Sequence, residues 1–100
     1  MVKTVKLKEI LKILREHKEE LKKKFKVREL EIFGSYARDE ATEKSDIDIL
    51  MEFEEVPDLF NFIRLERHLE ELLGIKVDLQ TKESISPYIR KYVEREIIVV

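Results

Sequence analysis

From Asp46 to Phe53 the chain alternates with a period of two. Ile47, Ile49, Met51 and Phe53 fall on one side of an extended backbone, with Asp46, Asp48, Leu50 and Glu52 on the other. A strand with one apolar face needs something to cover that face, so this segment dictates a sheet with packed neighbours. The flanking sequence supplies helical cover. Leu7, Ile10, Leu11, Leu14, Leu21 and Phe25 recur at helical spacing, with Val2 and Val5 extending the same face. Leu59, Phe62, Leu65, Leu69, Leu72 and Leu73 form a second helix face, and Gly74 suits the position just past its end.

Two further runs read as strands. Val27 to Phe33 is rich in β-branched and large apolar residues and is bounded by Gly34. Ile75 to Leu79 alternates, with Val77 and Leu79 on the Ile75 side. After Gly34, Ser35-Tyr36-Ala37-Arg38 reads as a short helical start, and Asp39 to Ser45 as a loop. A last helix is expected from about Pro87 with Ser86 as its cap. Ile97 to Val100 reads as a short strand or a partner-binding end. The expected order is α-β-α-β-α-β-α: an α/β (α+β) domain with a small sheet flanked by helices, strand order open.

Composition bounds the rest. One hundred residues make one domain, residues 1–100, with no room for a second core. Forty-two per cent of the residues are charged and there is no cysteine, which excludes disulfides and thiolate metal sites and points to a thermophilic source. The N-terminus has no long apolar run, so neither a signal peptide nor a membrane anchor is expected, and the chain reads as cytoplasmic. Residues 1–28 carry eleven basic and four acidic side chains, against nine and eighteen in the remainder. That first segment reads as a solvated amphipathic helix or as a surface for a polyanion. Nucleic acid is the less favoured partner, because aromatic residues are not interleaved with the lysines. His17 and His68 stand alone on helices and receive no role; Tyr36, Tyr88 and Tyr92 either pack or stack on a base.

Three places carry the chemistry. Gly34-Ser35 lies between a strand and a helical start, where glycine permits a sharp turn and unpaired first-turn amides attract phosphate; Ser35 also reads simply as a cap. Asp46 and Asp48, two apart on a strand, face the same way at roughly 6–7 Å between Cα atoms. Side by side they repel unless a cation sits between them, which suits a pair of Mg²⁺ ions; alternatively they are two solvated acids on an edge strand. Asp78 leaves the core face of its own strand. It joins the pair if the two strands are neighbours, to bind metal or accept a proton, and is otherwise an ordinary exposed acid.

Gly34-Ser35-Tyr36-Ala37-Arg38, followed by Ser45-Asp46-Ile47-Asp48-Ile49-Leu50 with ten residues between Ser35 and Asp46, resembles the minimal nucleotidyltransferase group of the DNA polymerase β-like superfamily. The similarity extends to Ser86-Pro87-Tyr88-Ile89. The resemblance implies a mixed sheet flanked by helices, a triphosphate (ATP) held at Gly34 and Ser35, and two Mg²⁺ bound by Asp46 and Asp48. It implies Asp78 as the third acid and base, and Arg38 as a phosphate-neutralising position. Members commonly have glycine directly after the arginine, where this chain has Asp39. The group also implies a HEPN-domain ribonuclease as partner, with AMP attached to a toxin tyrosine. The alternative is a non-catalytic antitoxin that neutralises such a ribonuclease by contact.

Overall fold

The computed structural model describes residues 7–38, 40–42, 44–82 and 97–100. Val2, Val5, Asp39, Ser86, Pro87, Tyr88 and Tyr92, and with them the expected last helix, lie outside the described residues.

Helix α1 spans Leu7–Phe25 and buries Ile10, Leu14 and Leu21; Leu7, Leu11 and Phe25 pack at the edge of the same core. It stops at Lys26, which takes the left-handed conformation (φ 55°) usually given to glycine. The chain then turns into β1, Val27–Phe33. This strand pairs antiparallel with β2, Ile47–Phe53. Pairing shifts between Val27 and Glu29. That bulge lets Val27 face the core although it is an odd number of residues from Leu30.

From β2 the chain enters α2, Leu59–Leu73. Asp58 caps it by accepting a hydrogen bond from the Asn61 amide at 2.8 Å. Gly74 ends it at φ 70°, its amide donating to the Glu70 carbonyl at 2.8 Å. The chain crosses over to β3, Val77–Thr81, parallel to β2, two residues later than the alternation suggested. The Val77 amide donates to the Glu70 carboxylate at 3.1 Å, which fastens the strand's start to the helix. Finally β4, Ile98–Val99, pairs antiparallel with β1, so the tail is a strand. The sheet order is β3-β2-β1-β4, with parallel and antiparallel neighbours.

One sheet face is covered by both helices. Leu30 and Ile32 of β1, Ile47, Ile49, Met51 and Phe53 of β2, and Val77 and Leu79 of β3 form a continuous core with Ile10, Leu14, Leu21, Leu65, Leu69 and Leu73. Two expectations need correction. Leu59 overhangs the end of α2 and is exposed. The segment after Gly34 is a turn: the Arg38 amide donates to Gly34 O at 3.1 Å, and the Glu40 amide reaches back five residues to Ser35 O at 2.9 Å. Among the described residues the order is therefore α-β-β-α-β-β. His68, given no role from the sequence, is half-buried. Its ring sits between the helices, 5.9 Å from the Phe25 ring and 3.7 Å from the Glu20 carboxylate. No described helix is long and apolar enough to cross a membrane.

Candidate active site

The other sheet face carries the acids, because side chains alternate along each strand. Register then decides which of them meet. Asp48 of β2 stands opposite Phe33 of β1 on one side and Asp78 of β3 on the other. The two carboxylates are within hydrogen-bonding reach. Asp46 lies just before β2 with the same parity, so all three predicted acids gather at one end of the sheet. Two contacts hold that end in place. The Ile47 amide donates to Lys76 O at 2.9 Å, tying the entrances of β2 and β3 together. Ser45 closes the preceding loop, its Oγ accepting from the Thr42 amide at 2.8 Å and its amide donating to Thr42 O at 3.0 Å.

Gly34 is needed for two reasons. Its φ is 74°, and a Cβ at this position would lie 2.1 Å from the Asp48 carboxylate oxygen. The Asp48 side chain thus occupies the space that a side chain at residue 34 would fill, and the glycine turn and the acid row are packed into one unit. Sequence reasoning gave Gly34 a conformational role and a close approach. It missed that the approaching group is Asp48, since no sequence signal links the two. In a turn of this kind the first amides have no partner within the turn itself and are available to an anion. Ser35 and the half-buried Ala37 sit in it, while Tyr36 is buried in the core, so it packs rather than stacks.

The electrostatics follow from this packing. Burial, the adjoining Asp78 carboxylate with its shared hydrogen bond, and Asp46 push the Asp48 carboxyl up to about 6; Arg38 pulls the other way. Arg38 therefore lies in the field of the acids, although its Nε also donates to Glu40 at 3.2 Å. Gln80, not singled out from sequence, donates from Nε2 to Asp78 Oδ1 at 3.1 Å. Its signal was its position two residues beyond Asp78 on the same strand face.

As they stand, no three carboxylate or imidazole groups among the described residues are gathered tightly enough to hold a metal ion. Asp48 and Asp78 stand side by side across the β2–β3 pairing, and both Asp78 and Asp46 act on the Asp48 carboxyl. The donor chemistry still fits a hard divalent cation. All donors are carboxylate oxygens, and a cation between them would relieve the repulsion that raises Asp48.

Farther along the same face lies a second charged cluster. Lys82 Nζ stands 3.0 Å from Glu31, 3.1 Å from Glu29 and 3.5 Å from Glu52. Glu31 is buried, with Oε1 paired to Lys82 and Oε2 unpaired. A cleft of about 310 Å³ lies at the opposite end of the sheet, lined by Phe25, Lys26, Val56, Pro57, Asp58 and Asn61 among others. None of Asp46, Asp48 and Asp78 lines it.

The chain is similar to known proteins over nearly its whole length. Residues 14–100 match the model of the nucleotidyltransferase domain. A Methanocaldococcus jannaschii protein, provisionally named a protein adenylyltransferase, is 59% identical over 92% of this chain and 95% of its own. Protein adenylyltransferase MntA of Thermococcus cleftensis is 54% identical over 94% and 95%. Among solved structures, a provisionally named minimal nucleotidyltransferase superposes with a TM-score of 0.79 at 38% identity, covering 95% of this chain and 96% of that one. A complex of a tri-AMPylated Shewanella oneidensis HEPN toxin with an MNT antitoxin gives 0.60 at 25% identity, covering 93% and 66%. With a glycine turn packed on an acid row, and with these likenesses over nearly its whole length, the chain belongs to the nucleotidyltransferase domain family, in its minimal branch.

Proposed function

We propose that this protein transfers AMP from ATP to a hydroxyl on a protein partner, a tyrosine of a HEPN-domain toxin, and so acts as an antitoxin. The observation that carries the reading is the Asp48 carboxyl. It is half-buried against Gly34 and raised to about 6 by that burial, Asp78 and Asp46, beside a turn suited to phosphate. A group perturbed by burial and by like charges, next to an anion-binding turn, is what phosphoryl chemistry uses. The named relatives support AMP as the transferred group and a HEPN protein as the acceptor.

In the proposed reaction the acceptor oxygen attacks the α-phosphorus of ATP in line. The new bond is O–Pα, the bond broken joins Pα to the bridging oxygen, and pyrophosphate leaves. The amides after Gly34 and the Ser35 hydroxyl hold the triphosphate, and Arg38 faces its negative charge. Asp78, exposed at the row's edge and oriented by Gln80, takes the acceptor's proton. Asp46 and Asp48, with Asp78, would hold Mg²⁺. When bound, the metal supplies positive charge that neutralises the triphosphate and polarises the reacting oxygens. The chain's own residues contribute mainly positioning.

The test uses the purified protein, its HEPN partner, ATP and Mg²⁺, read by intact mass. The expected result is a gain of whole AMP units on the partner, lost on Asp48→Asn or Asp78→Asn. Inhibition of the ribonuclease with no mass gain would replace this reading with that of a contact-only antitoxin.

A further inference from the structure

Helix α1 keeps its charges apart. From the turn of an α-helix, Lys8, Lys12, Arg15, Lys22 and Lys23 fall within about 100° of its circumference, centred opposite the buried Ile10, Leu14 and Leu21. All of these lysines and the arginine are exposed. Glu19 is the acid that shares their arc. Glu9 and Glu16 lie to one flank, and Glu20 turns to α2, where it meets His68 at 3.7 Å. None of the cations in the arc has an ion-pair partner among the described residues. By contrast Lys24, Lys26, Arg28, Arg38 and Lys82 each stand within 3.6 Å of a carboxylate. The outward face of α1 is therefore a row of unpaired positive charge about 22 Å long, from Lys8 to Lys23.

The make-up of the row selects what can cover it. No apolar or aromatic side chain stands in the arc, so it lacks the desolvated centre of a protein–protein interface, where lysine is depleted. Binding to phosphates needs only the charges. A duplex carries one negative charge per about 1.7 Å of its axis, so a row of ~22 Å meets on the order of a dozen phosphates. The missing aromatics count against single strands, whose bases have to stack, and not against a duplex. The arc also holds no Ser, Thr, Asn or Gln, so its contacts hold a backbone without specifying bases. Lys8, Lys12 and Arg15 line a groove of about 480 Å³, which gives a phosphate strand room between their side chains. Residues 29–100 carry nine basic and eighteen acidic side chains, so a polyanion is repelled by the rest of the chain and directed to this face.

We infer that the outward face of α1 binds the phosphate backbone of double-stranded DNA without reading its sequence. The acid row lies on the opposite face of the sheet from α1, so this surface is independent of the reaction proposed above.

Fluorescence anisotropy of a labelled DNA duplex of about two helical turns, titrated with the purified chain at several salt concentrations, tests it. Binding should be measurable at low salt and fall by about a hundredfold or more between roughly 50 and 200 mM, as four or so phosphate contacts require. Lys12→Glu/Arg15→Glu should weaken it by about tenfold or more and stay folded by circular dichroism, since both sites are exposed and glutamate is a good helix former. Glu19→Lys, which completes the row, should tighten it. Arg64→Glu/Arg67→Glu makes the same change in net charge on the exposed side of α2 and should leave binding within about threefold. A wild type that does not bind at low salt overturns the inference, as does equal weakening by the two double variants, which makes net charge alone responsible. An RNA duplex bound about tenfold or more tighter than the DNA also overturns it. So does a wild type that ignores DNA while its HEPN-domain partner no longer binds Lys12→Glu/Arg15→Glu, which assigns the face to that protein.

Discussion

Replacing Asp48 with Asn should make the protein more stable while removing its activity. The folded state raises the Asp48 carboxyl from 3.8 to about 6. At about 1.36 kcal/mol per pKa unit, that corresponds to at most ~3 kcal/mol against the ionised form. Asp48 is only partly buried, so solvent screening reduces this to on the order of 1–2 kcal/mol. The sign follows from the upward shift. The folded protein holds this proton more tightly than the unfolded chain, so the stability contribution is complete below pH 3.8. It is lost as pH rises through about 6. Asparagine has nearly the same shape, fits against Gly34, can donate to Asp78 and carries no charge. At neutral pH the variant should therefore melt higher by roughly 5–10 °C for a domain of this size. Paired melts of wild type and variant across the acid-to-neutral range, without Mg²⁺ or nucleotide, isolate the effect, since every other group is common to both. The gap should be absent below pH 3.8 and open towards pH 6. A variant less stable at neutral pH, or a gap that does not change with pH, would refute the account of Asp48 as a repelled, partly buried carboxylate.

Other expectations rest on different parts of the structure. Gly34→Ala should cost more than about 2 kcal/mol, from the left-handed backbone and the Cβ forced onto Asp48. Part of that loss should disappear in the Asp48→Ala background, and simple additivity in the cycle would count against the contact. Lys26→Gly should stabilise by a few tenths to about 1 kcal/mol, because a non-glycine residue now holds φ 55°. A lower denaturation midpoint would mean that the exposed pair of Lys26 with Glu55 matters more than the backbone. Lys82→Met should cost about 1–3 kcal/mol by leaving Glu31 buried beside Glu29 and Glu52 without a cation. The cost should shrink as the solution is acidified and the glutamates protonate; equal losses at neutral and acidic pH would argue against an electrostatic origin.

Much of this was legible in the sequence because the signals were local. The period-two run through β2, the helix faces of α1 and α2 and the stop at Gly74 are each written within a few neighbouring residues. What was not legible involved partners far apart in the chain. The turn after Gly34 looked like a helical start, since Ser35 to Arg38 has no residue that forbids a helix. Its geometry comes instead from the need to bring β2 back beside β1. Leu59 read as a core residue by spacing alone, but it is the first residue of α2 and stands exposed, while the core contacts come from Leu65, Leu69 and Leu73 farther along. The Lys82 cluster, which joins Glu29, Glu31 and Glu52 from two other strands, depends on which strand lies beside which.

The sequence by itself determined which residues face the same way: Asp46 with Asp48 on one strand, Asp78 opposite to Val77 and Leu79 on another, and glycine where the chain must turn. It also carried enough of the motif to point to the family. Only the tertiary structure decided that β3 runs parallel beside β2, with Asp78 level with Asp48, and that β1 brings Gly34 against the Asp48 carboxylate. The reason is geometric. Side-chain direction follows from backbone period, a property of adjacent residues. The meeting of three carboxylates and a glycine depends on register between strands, which is set by how the whole apolar face packs beneath the helices.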